Sequence, residues 1–279
     1  VTWTSKISSN CVVIDDDTEM SPPAGEGYGY FPRDYEAEPE GSYTSVLGDE
    51  FLIPRNEWYE RAKELEMKKQ RLSDFAKRAG WKIKNQRNIP YCWIFGVVSA
   101  CEIMRIAQGQ KYELLSPASS GAKIKNFRAV GGWGDQAAKY IAEHGVVPQD
   151  FWPETAINRR YDTPENWHQA KRFVLTEWNE LRPRNLDQQV SCLLRGIPVP
   201  SGYNWWSHLT CSLDVLFFSQ PRGLSDRDML AAMGTGIANS WGPNWSDGGF
   251  GVLKGSRQLA DGHLAVRAMR LSTKGKERE

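Results

Sequence analysis

Helical runs in the first two thirds and short strands in the last third predict an α+β chain with two lobes. Three observations carry that prediction. Residues from Cys92 to about Gln108 are apolar nearly all round, as a fully buried helix requires. After Gly196 the apolar runs shorten to strand length and are separated by Gly, Pro, Asp and Ser. A chain of 279 residues also buries enough surface to build two lobes without disulfides or metals.

Residues 1–50 cannot build a core of their own. Positions 14–50 hold eleven acids and one base, Arg33, with Pro22, Pro23, Pro32 and Pro39, many Gly, and Tyr28, Tyr30, Phe31, Tyr35 and Tyr43. This acidic, Pro/Gly/Tyr-rich segment is expected as an extended N-terminal arm, either mobile or laid along another surface. Residues 51–80 invert the charge. There Trp58, Ala62, Leu65, Leu72, Ala76 and Ala79 recur at helical spacing, broken only by Lys69, which predicts one basic amphipathic helix. Glu57–Arg61 and Glu64–Lys68 support it as i,i+4 pairs, and Gly80 is a natural stop. Residues 81–195 are the helical lobe: the buried helix from Cys92, a second over 134–144 closed by Gly145, and a third over 164–181. Residues 196–272 are the β lobe, with strands over 197–203, 209–218, 236–240, 249–254 and 264–271. Residues 273–279 are a charged tail, and no internal repeat is visible.

Composition removes several function classes. Lys plus Arg number 35 against 34 Asp plus Glu, a net charge of +1 that is too neutral for a dedicated nucleic-acid binder. No apolar run reaches the roughly 20 residues of a membrane span. Cys11, Cys92, Cys101, Cys192 and Cys211 make an odd set with no CxxC or short Cys/His spacing, against both a disulfide framework and a zinc site. No metal and no other cofactor is expected. The first residues lack the basic-then-apolar layout of a secretory signal, so free thiols in the cytoplasm or another reducing compartment are expected, or in a virion for a viral source. The 12 Trp suggest thick cores or aromatic-walled clefts.

Cys92 sits where a loop containing Pro90 meets the head of the buried helix. The positive end of the helix dipole favours thiolate there. A Cys at such a place is, taken alone, more often a packed core residue. Its neighbours change the reading. The run Gln86-Arg-Asn-Ile-Pro-Tyr-Cys92-Trp93 and the block Asn239-Ser-Trp-Gly-Pro-Asn-Trp-Ser-Asp-Gly-Gly-Phe250 occur in that order, with Gly131-Gly132-Trp133-Gly134 and Leu115-Ser116-Pro117 between them. The second block, read alone, is an Asx turn between strands with Trp packing. Four His can supply a base: His208 opens an apolar strand, His144 closes a helix, His168 lies in a polar stretch, and His263 follows Asn239.

These segments resemble those of the papain-like cysteine proteases. The family places a Gln six residues before its nucleophile, a Trp directly after it, an Asn-Ser-Trp-Gly block downstream, and a Gly-Gly pair whose backbone meets the substrate. Ile89-Pro90-Tyr91 replaces the usual Cys-Gly-Ser, and the half-cystines of secreted members are absent. The likeness spans about 81–255 and is to a compact, disulfide-free member of bacterial or viral type. It implies a papain-like two-lobed fold, a helical lobe followed by an antiparallel β-barrel-like lobe, with the active-site cleft between them.

The resemblance implies a cysteine endopeptidase with a polypeptide substrate and a thioester acyl-enzyme. Cys92 would be the nucleophile and His208 the base, with His263 its rival; they fall in the family's chain order, His208 116 residues and Asn239 147 residues after Cys92. Asn239 would orient the imidazole, Gln86 would hold the oxyanion, and Trp241 would shield the His–Asn pair. Gly131, Gly132 and Trp133 would meet the substrate. Trp133 and Gly134 should border the pocket for the second residue from the scissile bond, with Val199, Pro200 and Ser201 opposite. Nothing charged is placed to define that pocket, so a hydrophobic preference is expected. Two other readings compete: a papain-fold structural or binding protein, such as a viral particle component, and a different Cys–His hydrolase of the amidase or transglutaminase kind. The arm is expected either to dock the domain on a partner or larger assembly, or to pack on the domain itself, in preference to inhibiting it as a pro-region does.

Overall fold

The computed structural model describes residues 2–271 apart from positions 26, 40 and 42; the charged tail over 273–279 lies outside the described residues. A short strand of the arm, β1 (Val13–Ile14), comes first, then α1 (Arg55–Met67) and α2 (Leu72–Arg78). The single helix expected over 51–80 is thus two. The break falls at Lys69, which adopts φ 53°, a left-handed conformation that no helix can continue through. Asp74 then restarts the chain by accepting the Arg71 backbone N–H at 3.1 Å.

The central helix α3 (Cys92–Ala107) is buried at every position but its last. Around it lie α4 (Pro117–Ile124), α5 (Gly134–His144) and α6 (Pro164–Ala170). Position 164 does begin a helix, with Thr163 Oγ1 accepting from the Asn166 N–H. It stops at Ala170, however, and the rest of the expected 164–181 helix is β2 (Leu175–Leu181). Leu175, Trp178 and Leu181 recur every third residue and so imitate a helical face, but pairing with the last strand decides the outcome. The expected division at residue 195 is corrected accordingly, because β2 joins the same sheet as the later strands. α7 (Leu186–Leu194) follows, then β3 (Val199–Tyr203), β4 (His208–Phe217), α8 (Asp226–Ala232), β5 (Met233–Ala238), β6 (Phe250–Lys254) and β7 (Gly262–Met269).

The described strands form one seven-stranded sheet in the order β1-β6-β5-β4-β3-β7-β2. Every pairing is antiparallel except β1 with β6. At the opposite edge Val46 bridges Glu180 of β2. The arm therefore covers both edges of the sheet, where unpaired backbone would otherwise be exposed. Gly96 lets α3 approach β4 closely: a Cβ there would run into the Leu209 side chain and come within 3.2 Å of the Thr210 backbone. The head of α3 and the start of β4 are brought face to face by that contact.

Beside α3, the Lys84 ammonium is fully buried against Glu102 at 2.9 Å. Trp81 Nε1 and the Leu115 N–H also donate to Glu102, at 2.7 and 2.6 Å, and Lys84 donates to the Leu115 carbonyl at 3.0 Å. Lys84→Met should leave that carboxylate buried without its cation, at a cost of about 3–5 kcal/mol. For a domain of this size the melting temperature should fall on the order of 10 °C. Thermal unfolding followed by circular dichroism checks this, and a shift of only a degree or so contradicts it. All five cysteines are free, four of them buried. Thiol counting under denaturing conditions should return five; three or fewer would contradict the expected disulfide-free state.

Candidate active site

Cys92 is the first residue of α3 and is wholly buried. Backbone amides of Leu209, Trp93 and Tyr30 favour its anion, but burial outweighs them and pushes the thiol up to about 12. His208 begins β4, after Ser207 turns the chain at φ 50°. Asn239 directly follows β5, the strand paired with β4. His208 Nε2 and Asn239 Oδ1 are 2.7 Å apart. Asn239 Oδ1 also accepts the Ser240 N–H at 2.7 Å, so it is an acceptor and the imidazole donates from Nε2. That leaves Nδ1, buried and without a partner among the described residues, as the basic nitrogen. Burial lowers the imidazole to about 4. Burial thus favours the neutral thiol and the neutral imidazole while the cleft is closed, against the thiolate that the helix dipole alone favours.

Aromatic walls keep water from the His–Asn bond. The Trp241 ring centre lies 4.6 Å from the imidazole and that of Trp206 4.9 Å. Trp241 is the expected shield; Trp206 was not singled out, although it stands two residues before the base. Gln86 is placed by Ser240, which donates its hydroxyl to Gln86 Oε1 at 2.6 Å and whose carbonyl accepts the Gln86 N–H at 2.8 Å. The side-chain amide is thereby aimed into the cleft. His263 lies elsewhere: it pairs in register with Leu181 and Ser201, and its Nε2 is 2.7 Å from the Arg182 carbonyl. His144 and His168 are exposed.

The arm passes through this cleft. Gln86 Nε2 donates to the Gly27 carbonyl at 2.9 Å, and Trp241 Nε1 donates to the same oxygen at 3.1 Å. The Gly132 N–H donates to the Gly29 carbonyl at 2.9 Å, and Tyr30 bridges Gly132 in parallel. Gly29 and Tyr30 both donate to the Ser207 carbonyl, next to the base. A Cβ on Gly131 would meet the Gly29 carbonyl, so that pair admits only a close backbone neighbour. Self-packing of the arm is what the described residues show, and its route meets Gln86, Gly131, Gly132, His208 and Trp241.

The pocket beyond the Gly-Gly pair differs from expectation. Tyr30, 3% exposed, fills it, and its ring stands where Cβ atoms on Gly202 or Gly262 would be. Trp133 and Gly134 do border it, with Asp135, Glu180 and His263. Arg33 Nη1 lies 2.8 Å from Asp135 and 3.3 Å from Glu180. The expectation of a pocket without charge is therefore corrected. Asp135 and Glu180 come from the N-terminus of α5 and from β2, and no sequence spacing links them.

A nucleophile at the head of a buried helix, facing an imidazole held by an Asn across a cleft, defines the papain-like cysteine proteases as a class. No family model matches the chain. It is 26% identical over 179 residues to cathepsin L 2 of Paramecium tetraurelia, covering 62% of this chain and 55% of that protein. It is 25% identical over 205 residues to chymopapain of Carica papaya, covering 68% and 56%. The chain thus spans about half the length of these relatives. Among solved structures, xylellain, a cysteine protease from Xylella fastidiosa, superposes with a TM-score of 0.58 at 18% identity, over 91% of this chain and all of that one. Digestive procathepsin L 3 of Tenebrio molitor larval midgut gives 0.55 at 15% identity, over 68% and 66%. The fold is the papain fold, and the sequence relatives just named are similar to this chain over about 180 to 205 residues.

Proposed function

We propose that the chain is a cysteine endopeptidase whose cleft is closed by its own residues 27–33. The observation that carries this reading is the 2.7 Å His208–Asn239 bond, which leaves Nδ1 without a partner among the described residues. With the arm displaced, the Cys92 proton passes to His208 Nδ1 and the thiolate attacks the peptide carbonyl. The tetrahedral oxyanion takes the Gln86 amide and the Cys92 backbone N–H, each donor contributing on the order of 3 kcal/mol. That amide holds the Gly27 carbonyl in the closed state, so the arm mimics a substrate oxygen there. His208 then protonates the leaving amine, a Cys92 thioester remains, and His208 activates the water that hydrolyses it. The acidic, aromatic arm serves as inhibitor in this reading.

Trapping with an epoxysuccinyl peptide tests it on the full chain carrying Gly29→Val, whose side chain would overlap the Pro90 backbone and displace the arm. His208-dependent labelling of Cys92, well above that of the other four thiols, is expected. Labelling of Cys92 that His208→Ala leaves unchanged would refute the proposal.

A further inference from the structure

We propose that the pocket filled by Tyr30 and Arg33 selects a basic residue of the substrate, with Asp135 and Glu180 as its specificity-determining carboxylates. The proposal rests on the protease reading and names its substrate class. Both acids line one cavity with Tyr30, Trp133, Gly262 and His263, of which about 20 Å³ remains empty while the arm is seated. Their side chains are 7% and 3% exposed. The cation between them, Arg33, is itself 8% exposed and belongs to the arm.

What satisfies the pair comes largely from that arm. Glu180 Oε2 accepts from Arg33 and from the Gly41 N–H, while Glu180 Oε1 is buried with no partner among the described residues. Asp135 Oδ1 accepts its neighbour's Gln136 N–H at 2.9 Å, and its Oδ2 meets Arg33 as an ion pair without an aligned hydrogen bond. Burial holds the Asp135 carboxyl up at about 6 even with that cation beside it. Displacing the arm would leave two carboxylates in one cavity without the cation that sits between them, an arrangement that favours an incoming cation. The entrance is narrow and apolar: Tyr30 runs between Gly202 and Gly262, and a Cβ on Gly262 would lie 2.5 Å from the Tyr30 hydroxyl. The Tyr30 hydroxyl stands beside Gly262, in the cavity that Asp135 and Glu180 also line. A long stem with a planar cation at its tip follows the same path, which describes arginine better than any apolar residue.

The test uses the full chain carrying Gly29→Val, which displaces the arm backbone from the cleft. Peptides identical except for arginine, citrulline or leucine at the second position before the scissile bond are compared by kcat/KM. Arginine is expected to exceed its neutral isostere citrulline by about tenfold or more. Asp135→Asn together with Glu180→Gln should bring that ratio close to one, mainly through KM. The same peptides are titrated onto the Cys92→Ala form by calorimetry, where the same ratio should appear in the dissociation constants. Arg33→Ala, which removes only the arm's cation, is a second background should Gly29→Val fail to fold. Equal cleavage and binding of the arginine and citrulline peptides overturns the inference and leaves the protease reading standing. Arginine-selective binding without hydrolysis of any peptide supports the inference and overturns the protease reading.

Discussion

Cys92→Ala and His208→Ala should each lower peptide hydrolysis by about 10⁴- to 10⁶-fold, measured in a chain whose arm has been displaced. In the proposed mechanism Cys92 supplies the bond-forming sulfur. His208 is the imidazole whose free Nδ1 can take the sulfur's proton, since Nε2 is committed to Asn239. Losing either member stops the same step, so the double variant should be little worse than either single one. Asn239→Ala should cost less, on the order of 10²-fold, because Trp206 and Trp241 still flank the imidazole after its hydrogen bond is lost. Cys92→Ala removes one buried sulfur and should leave the melting temperature within a few degrees. Loss of activity in His263→Ala with activity spared in His208→Ala would reverse the assignment of the base. His263 instead bonds a backbone carbonyl on the far side of the substrate pocket.

The second large effect runs in the opposite direction. Gly29→Val should raise the hydrolysis of small peptides by the full chain about 10- to 100-fold. Gly29 sits at φ 153° with its α-carbon so near Pro90 that a Cβ would overlap the Pro90 carbonyl. Pro90 lies in the loop that delivers Cys92 to α3, so the arm has to yield. Overpacking of this kind costs typically 1–3 kcal/mol, and each 1.4 kcal/mol taken from the closed state is worth about tenfold in open population. An unchanged rate, with Cys92 shown to be trappable, would mean that the arm does not limit access. Gly25→Val is the control for backbone strain without a clash, because Gly25 lies at φ 84° with nothing near a Cβ.

The candidate site residues could be picked out of the sequence because each is announced locally. Cys92 heads the most apolar helix, Asn239 opens a Trp- and Gly-rich turn, and His208 starts a strand, so motif and element coincide. The strand identities after Gly196 were legible for the same reason. What the sequence hid depends on partners far away. Residues 175–181 carry their apolar side chains at helical spacing, and only β7 makes them a strand. The arm's acidic, Gly-rich sequence leaves open whether it is mobile or laid along a surface, and which surface that is. Several of its contacts with the cleft are made by backbone carbonyls and amides of residues 27–30, which leave no trace in side-chain pattern. Asp135 and Glu180 stand 45 positions apart. Their shared cavity exists only once β2 is correctly placed beside α5.

The arm's two sheet attachments decide how the cleft can open. Val13 and Ile14 pair with β6 at one edge, and Val46 pairs with Glu180 at the other. The roughly 30 residues between them are tethered at both ends, so the segment over the cleft departs as a closed loop and not as a free tail. Tethering keeps its local concentration in the millimolar range whatever the dilution. A competing peptide must therefore outbid a neighbour that never diffuses away, and reclosure is unimolecular. A single backbone cut between Ile14 and Val46 would end that advantage, turning a reversible closure into a permanent opening while leaving both sheet edges covered.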